Sequence, residues 1–202
     1  QSFMRSVIIA AGLFNSDFDT DIDLIGVDAG AGYLARNGKT MRLAIGDFDS
    51  DHELELISKY AQEMIVLDQR KDDTDLEAAV NWAKSRYSKM IVIGALGGRL
   101  DHEFAALSLL TIRNLPIEFY NYHNKIYRLN QGEYTIQKDG YRFISFFPLS
   151  EGIITLEGVS YPLKERKVVP NDLYLVSNEI LGEEAKVKIE GSFLVIQSND
   201  QK

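Results

Sequence analysis

The chain has 202 residues, no cysteine, and 30 acidic against 22 basic residues, which gives a formal net charge of −8. The negative balance argues against a general nucleic-acid binder, because such proteins neutralise phosphates with many lysines and arginines. Disulfides and cysteine nucleophiles are excluded, no apolar run approaches the roughly 18 residues of a membrane span, and we expect a cytoplasmic protein without a membrane partner.

Up to about Phe119, short apolar runs alternate with segments of helical spacing. The apolar runs predict strands and read SVIIAAG, DLIGVDAG, RLAIGD, MIVLDQ, KMIVIGALGG and PIEFYNY. The first run is expected to be a buried strand rather than an export signal. One intervening segment places an apolar stripe on a single helix face, formed by Leu76, Ala79, Val80 and Ala83. The alternation predicts an α/β fold with a mostly parallel sheet flanked by helices.

The helical spacing ends after about Tyr122. The runs that follow predict further strands and read EYTIQ, YRFISFFPL, GIITLEG, DLYLVSN, AKVKIEG and SFLVIQS. Asp139-Gly140 and Gly191-Ser192 predict turns, and LKERK at 163–167 is expected to be a solvated hairpin tip. Short strands with frequent turns predict a C-terminal antiparallel β-sandwich.

The change of pattern predicts two domains. The boundary is expected near His123–Gln131, with an α/β domain at 1–125 and a β-sandwich domain at 126–202.

Carboxylates recur where the predicted parallel strands end. These are Asp28 after LIGV, Asp47 and Asp49 after LAIG, Asp68 after MIVL, then Asp72, Asp73 and Asp75, and Asp101 after VIGALGGRL. Ligands of open α/β sheets bind at that edge. Each acid alone has an ordinary explanation as a helix cap, and TDLE at 74–77 matches a capping box. Several carboxylates on one edge repel each other unless a cation is present, and oxygen ligands without cysteine favour Mg²⁺.

The segment GALGGRLDH offers groups that suit a phosphate. Gly97 and Gly98 let the backbone approach a ligand, the following helix presents N–H groups, and Arg99 adds a charged donor fork. A plain glycine turn before a helix is the competing explanation. His102 either contacts a ligand or packs in the first helical turn, and packing is the more ordinary role. The sequence contains neither a Walker A motif nor a G-x-S-x-G elbow.

Taken in order, VDAGAGYL, GDFDS, KDDTDLEAAV, GALGGRLDH, YPL and VSNE resemble the bacterial thiamine pyrophosphokinases over Asp28 to about Glu179. The resemblance implies an enzyme that moves the pyrophosphoryl group of ATP to the hydroxyl of thiamine, releasing AMP and thiamine diphosphate. It also implies an α/β catalytic domain that binds ATP and Mg²⁺, a β-sandwich domain that binds thiamine, and a homodimer.

The resemblance also assigns roles to residues. Mg²⁺ would be held by Asp47, Asp49 and Asp75, with Asp28 supporting the same site. ATP would be bound by Asp28, Gln69, Thr74, Gly98 and Arg99. Thiamine would be bound by Asp101, Ser177 and Asn178.

Asp75, Arg99 and Asp101 are the predicted catalytic residues. Arg99 would stabilise charge during transfer, and either Asp101 or Asp75 would accept the hydroxyl proton. Two other kinds of protein fit the acidic edge. One is a different Mg²⁺-dependent phosphotransfer enzyme, such as a phosphatase or nucleotidyl transferase, and the other is a non-catalytic sensor of a nucleotide or thiamine diphosphate.

Overall fold

A computed structural model of the protein describes residues 5–14, 21–70 and 72–201. The chain divides into two compact units. The first comprises 1–109 and 115–121, and the second comprises 110–114 and 122–202. The division after Asn121 coincides with the change from parallel to antiparallel strand pairing.

The described part of the first unit contains six strands that pair in parallel. They are β1 (Ser6–Ala10), β2 (Asp23–Val27), β3 (Leu43–Gly46), β4 (Met64–Val66), β5 (Lys89–Ile93) and β6 (Ile117–Tyr120). Their order in the sheet is β4-β3-β2-β1-β5-β6. The last four residues of both β1 and β2 are buried, as expected for strands covered on both faces. The predicted α/β fold is confirmed.

Helices follow the strands of this sheet. Their bounds are α1 (Ala29–Arg36), α2 (Asp51–Tyr60), α3 (Asp75–Ala83) and α4 (Leu100–Thr111). The Thr74 hydroxyl caps α3 by accepting a hydrogen bond from the Glu77 N–H at 3.1 Å, as the predicted capping box requires. The predicted apolar stripe is the buried face of α3, which lies against β2 and β3.

The second unit contains two antiparallel sheets. Its strands are β7 (Asn124–Leu129), β8 (Gly132–Gln137), β9 (Phe143–Pro148), β10 (Gly152–Glu157), β11 (Leu163–Val168), β12 (Glu184–Glu190) and β13 (Phe193–Ser198). They pair in the orders β7-β13-β9 and β11-β10-β12-β8. Along β12 buried and exposed residues alternate strictly, and both sheets contribute side chains to one apolar core. The predicted antiparallel unit is confirmed.

Both predicted turns are present in this unit. Asp139 and Gly140 have φ values of 50° and 79°, and the Tyr141 N–H donates to the Lys138 carbonyl at 3.0 Å, as in a tight β-turn with two left-handed residues. Gly191, between β12 and β13, has a φ of 83°. A residue with a side chain would be strained at either glycine.

Three segments differ from the sequence-based expectation. LKERK is not a hairpin tip, because it belongs to β11, which pairs with β10 in the register Ile154↔Arg166. Since β11 is an edge strand whose charged side chains are exposed, its composition resembles that of a solvated turn. Strand β7 was not predicted, because it falls within the expected domain boundary.

DLYLVSN, at 172–178, was predicted as a strand but forms only an isolated bridge, between Asn178 and Ile144. Two local features interrupt the extended backbone. The Asp172 carboxylate accepts a hydrogen bond from the Val169 N–H at 2.8 Å, and Ser177 has a φ of 63°. Apolar alternation alone does not reveal such turns.

Tyr87 provides a test of the first unit's packing. Its hydroxyl donates to Asp23 Oδ2 at 2.7 Å, and burial together with this hydrogen bond raises the pKa of Tyr87 to about 12. The folded state therefore holds the phenol proton more tightly than the unfolded chain, whose pKa is near 10.0. We expect the free energy of unfolding to fall by about 2 kcal/mol between roughly pH 10 and 12, measured by urea denaturation.

The matched variant is Tyr87→Phe, which keeps the ring and removes the titrating group. It should lose about 1 kcal/mol at pH 7 and show a smaller decline above pH 10. An unchanged alkaline decline in this variant would contradict the assignment to Tyr87.

Candidate active site

A cavity of about 490 Å³ lies at the carboxyl edge of the parallel sheet in the first unit. Residues after β1, β2, β3 and β4 line it, together with the first turns of α3 and α4. Its polar lining side chains include Asp28, Asp47, Gln69, Asp73, Thr74, Asp75 and His102. This is the edge at which open α/β sheets bind ligands.

Three carboxylates converge within the cavity. Asp28, Asp47 and Asp75 are partly buried and each offer one oxygen, and these oxygens lie within 4.8 Å of one another. Two like charges at that separation repel by on the order of 3 kcal/mol at an effective dielectric of about 20. An arrangement of this kind favours a bound cation.

The three carboxylates do not serve as helix caps, which was their ordinary alternative role. Asp28 occupies the N-cap position of α1 but makes no capping hydrogen bond. The side-chain caps of α2 and α3 are Ser50 and Thr74. Hydroxyls therefore cap these helices, and the carboxylates face the cavity.

The backbone around Asp28 makes room for its side chain. Asp28 has φ 50° and ψ −121°, and its N–H donates to the Ile45 carbonyl at 3.0 Å. A Cβ added to Gly46 would lie 2.4 Å from Asp28 Oδ1. Glycine at the end of β3 is thus needed for the position of the Asp28 carboxylate.

Asp49, a predicted metal ligand, is exposed and lies outside this group of three in the part of the chain that the structure describes. Its Oδ1 accepts a hydrogen bond from Gln69 Nε2 at 3.1 Å. Gln69 lines the cavity, as does Thr74. The two predicted ATP-binding side chains therefore lie beside the carboxylates, and Asp49 holds one of them.

Arg99 and Asp101 form an exposed pair outside the cavity lining. Arg99 Nη2 and Nε donate to the Asp101 carboxylate at 2.7 and 3.2 Å. This hydrogen bonding lowers the pKa of Asp101, so its carboxyl group stays ionised at neutral pH. The pairing makes Asp101 a weaker proton acceptor for as long as Arg99 stays bound to it.

The loop before α4 contains Gly97 and Gly98. It has open space beside Gly98, and one hydrogen bond ties it to α4. A Cβ at Gly98 would meet no atom within 4 Å among the residues described, which leaves space for a ligand near the backbone. Glu103 Oε1 accepts a hydrogen bond from the Gly97 N–H and ties the loop to the first turn of α4.

Ser177 and Asn178, the predicted thiamine-binding residues, lie in the second unit. Asn178 is buried, and its amide bonds both backbone groups of Tyr161, each at 3.0 Å. The Ser177 N–H donates to Ser145 Oγ at 3.0 Å, and the Ser177 side chain is exposed. Asn178 therefore fixes the turn that presents the Ser177 hydroxyl.

Sequence reasoning gave His102 the more ordinary role of packing, whereas the structure places it in the cavity lining. The spacing of residues along α4 could have indicated this position, because residues three apart share one face of a helix. His102 and Ala105 are three residues apart on α4, and both line the cavity.

The chain thus combines an α/β unit, with a cavity at the carboxyl edge of its parallel sheet, and an antiparallel β unit. Two family descriptions match the chain in the same order. The thiamin pyrophosphokinase catalytic domain matches residues 18–120, and the thiamin pyrophosphokinase vitamin B1 binding domain matches residues 133–194.

Individual relatives agree with this match. Thiamine pyrophosphokinase of Bacillus subtilis (strain 168) is 36% identical over 186 residues, which cover 87% of each chain. A crystal structure of thiamine pyrophosphokinase from Bacillus subtilis has a TM-score of 0.86 at 31% identity, covering 98% of this chain and 100% of the other. A family protein from Enterococcus faecalis gives a TM-score of 0.87 at 28% identity, with the same coverage.

The chain belongs to the thiamine pyrophosphokinase family. The predicted fold class, family and enzyme activity are confirmed.

Gly46→Ala tests the geometry of the three carboxylates. The added methyl group would displace the Asp28 carboxylate, and we expect the affinity for Mn²⁺, measured by isothermal titration calorimetry, to fall about tenfold or more. Gly182→Ala is the control, because a Cβ there meets no described atom within 4 Å. Equal Mn²⁺ affinity in the two folded variants would show that Asp28 does not help to hold the ion.

Proposed function

We propose that the chain transfers the β,γ-pyrophosphoryl group of ATP to the hydroxyl of thiamine. The hydroxyl oxygen forms a bond to the β-phosphorus, and the bond between that phosphorus and the α,β-bridging oxygen breaks. AMP leaves with the bridging oxygen, and the hydroxyl proton passes to a carboxylate. The convergence of Asp28, Asp47 and Asp75 in one cavity, within the region that matches the catalytic domain, carries the proposal.

The donor set of the cavity fits Mg²⁺. Three partly buried carboxylates supply oxygen ligands only, as this ion prefers, and their mutual repulsion would be offset by its charge. We assign Asp28, Asp47 and Asp75 to the metal and place the predicted ligand Asp49 beside them through Gln69. When bound, Mg²⁺ would neutralise phosphate oxygens and orient the phosphate chain.

The chain's own groups would position the nucleotide. Gln69 and Thr74 line the cavity and can hydrogen-bond ATP. Arg99 and the backbone at Gly98 would contact the phosphates. Arg99 would then hydrogen-bond a phosphate oxygen in place of the Asp101 carboxylate. This exchange would leave Asp101 free to approach the thiamine hydroxyl.

The two candidate acceptors of the thiamine hydroxyl proton, Asp75 and Asp101, lie in different surroundings. Asp75 lies in the cavity, whereas Asp101 is exposed and its pKa is lowered by Arg99. Asp101 would become available as the acceptor once Arg99 bonds a phosphate, whereas Asp75 would remain a ligand of the metal, so both carboxylates stay candidates.

Thiamine binding is proposed for the second unit, where the vitamin B1 binding domain matches. The exposed hydroxyl of Ser177 would contact the substrate, and Asn178 would act by holding the turn.

A homodimer is also proposed. Its support is the apolar surface of α4, where Leu100 and Phe104 are each 74% exposed and would be covered by a second subunit. None of the described helices is long and apolar enough to cross a membrane. A cytoplasmic location and the absence of a nucleic-acid partner remain part of the proposal.

The test follows AMP and thiamine diphosphate in four mixtures, with and without thiamine and with and without Mg²⁺. We expect AMP only when both are present, in equal amount to thiamine diphosphate. Asp75→Asn should lower kcat/KM by at least about 100-fold, because it removes a cavity carboxylate.

Asp72→Asn is the matched control, because Asp72 is an exposed acid of the same segment that does not line the cavity, and its kcat/KM should stay within about twofold. Release of inorganic phosphate, or AMP formation indifferent to thiamine, would indicate another phosphotransfer enzyme. Binding of both substrates without turnover would indicate a sensor.

A further inference from the structure

The first turn of α4 contains three consecutive polar residues that point to different partners. The Asp101 carboxylate bonds Arg99, and the Glu103 carboxylate bonds the Gly97 N–H. His102, between them, lines the acidic cavity together with Ala105. Successive helix residues are about 100° apart, so the two acids hold the loop while the imidazole faces the cavity.

The outward face of α4 supports this orientation. Leu100 and Phe104 are each 74% exposed and do not line the cavity, whereas the His102–Ala105 face does. The His102 N–H donates to Asp101 Oδ1 at 3.0 Å, which fixes the backbone from which the imidazole projects. His102 is therefore presented to the cavity by a helix whose start is anchored.

The phosphates of ATP would need more hydrogen-bond donors in the cavity than its carboxylates can supply. Its carboxylates, including that of Asp73, only accept hydrogen bonds when ionised, and they repel an anion. Gln69 Nε2 gives one of its two hydrogens to Asp49, and the Thr74 hydroxyl accepts a hydrogen bond at the cap of α3, so each of these side chains has one hydrogen left for ATP. Among the residues that the structure describes, the His102 ring has no hydrogen-bonding partner.

We propose that His102 is a substrate-contacting residue whose imidazole N–H donates to an oxygen of the transferred β- or γ-phosphate of ATP. A neutral or charged imidazole can donate this hydrogen bond. It would offset the repulsion between the terminal phosphates and Asp73, which lies outside the three converging carboxylates. The inference rests on the proposed function, because it takes ATP as the occupant of the cavity.

The experiment measures nucleotide affinity without turnover. Isothermal titration calorimetry with Mg²⁺ and α,β-methylene-ATP avoids the reaction, because the bond that would break is replaced by a methylene bridge. His102→Ala should weaken this affinity about tenfold or more, as loss of a hydrogen bond to a charged group does. The affinity for AMP, which lacks both terminal phosphates, should change by less than about twofold.

Two variants separate contact from packing. His102→Gln keeps a side-chain N–H donor and should recover part of the affinity for α,β-methylene-ATP. His52→Ala is the matched control, because His52 is an exposed histidine in the first turn of α2 that does not line the cavity, and it should bind both nucleotides as the parent protein does.

The outcomes distinguish the two proposals. Unchanged affinity of His102→Ala for α,β-methylene-ATP would overturn the His102 contact and leave the proposed function intact. An equal loss for AMP and the analogue would overturn it as well, because it would indicate a general distortion of the cavity. Failure of the parent protein to bind the analogue would overturn both.

Discussion

The repulsion among carboxylates at one edge of a parallel sheet is the constraint on which the rest of the site depends. Asp28, Asp47 and Asp75 follow three different strands along the chain, yet their oxygens lie within 4.8 Å of one another. A chain that only needed helix caps would not bring them together, and Ser50 and Thr74 already provide caps for α2 and α3. The mutual repulsion of these carboxylates would be offset by the metal ion that we propose to bind there.

The surrounding backbone is shaped to hold this arrangement. Gly46 leaves the space that the Asp28 carboxylate occupies, and the Asp28 N–H is tied to β3 through Ile45. At α4, Asp101 and Glu103 bind the neighbouring loop, which leaves His102 directed at the cavity. Hydrogen bonds outside the cavity thus determine which side chains enter it.

Much of the fold could be predicted from the sequence, because the spacing of apolar residues and the residue types that form turns are local features of the chain. The parallel strands, the stripe of α3 and the Asp139-Gly140 turn are of this kind. The role of LKERK could not be predicted in this way, because an exposed edge strand carries the same charged residues as a loop. The interruption of DLYLVSN depends on side-chain hydrogen bonds such as that of Asp172, which leave no periodic signal.

For the site, the sequence identified the edge and its acids, but spacing along the chain does not give distances. Asp47 and Asp49 are close in sequence, yet Asp47 joins the cluster whereas Asp49 bonds Gln69. Asp28 joins the cluster because the backbone at the end of β2 turns its side chain inward, with a φ of 50°. The resemblance to known enzymes supplied the reaction and the roles of most site residues, and the geometry puts Asp28 in place of Asp49 among the proposed metal ligands.

The most direct test of the account is the anomalous difference density of Mn²⁺ in crystals of the protein. The account predicts a peak bonded to oxygens of Asp28, Asp47 and Asp75, at metal–oxygen distances of roughly 2.0–2.3 Å. The absence of a peak at this cluster, or a peak bound by Asp49 without Asp28, would contradict it.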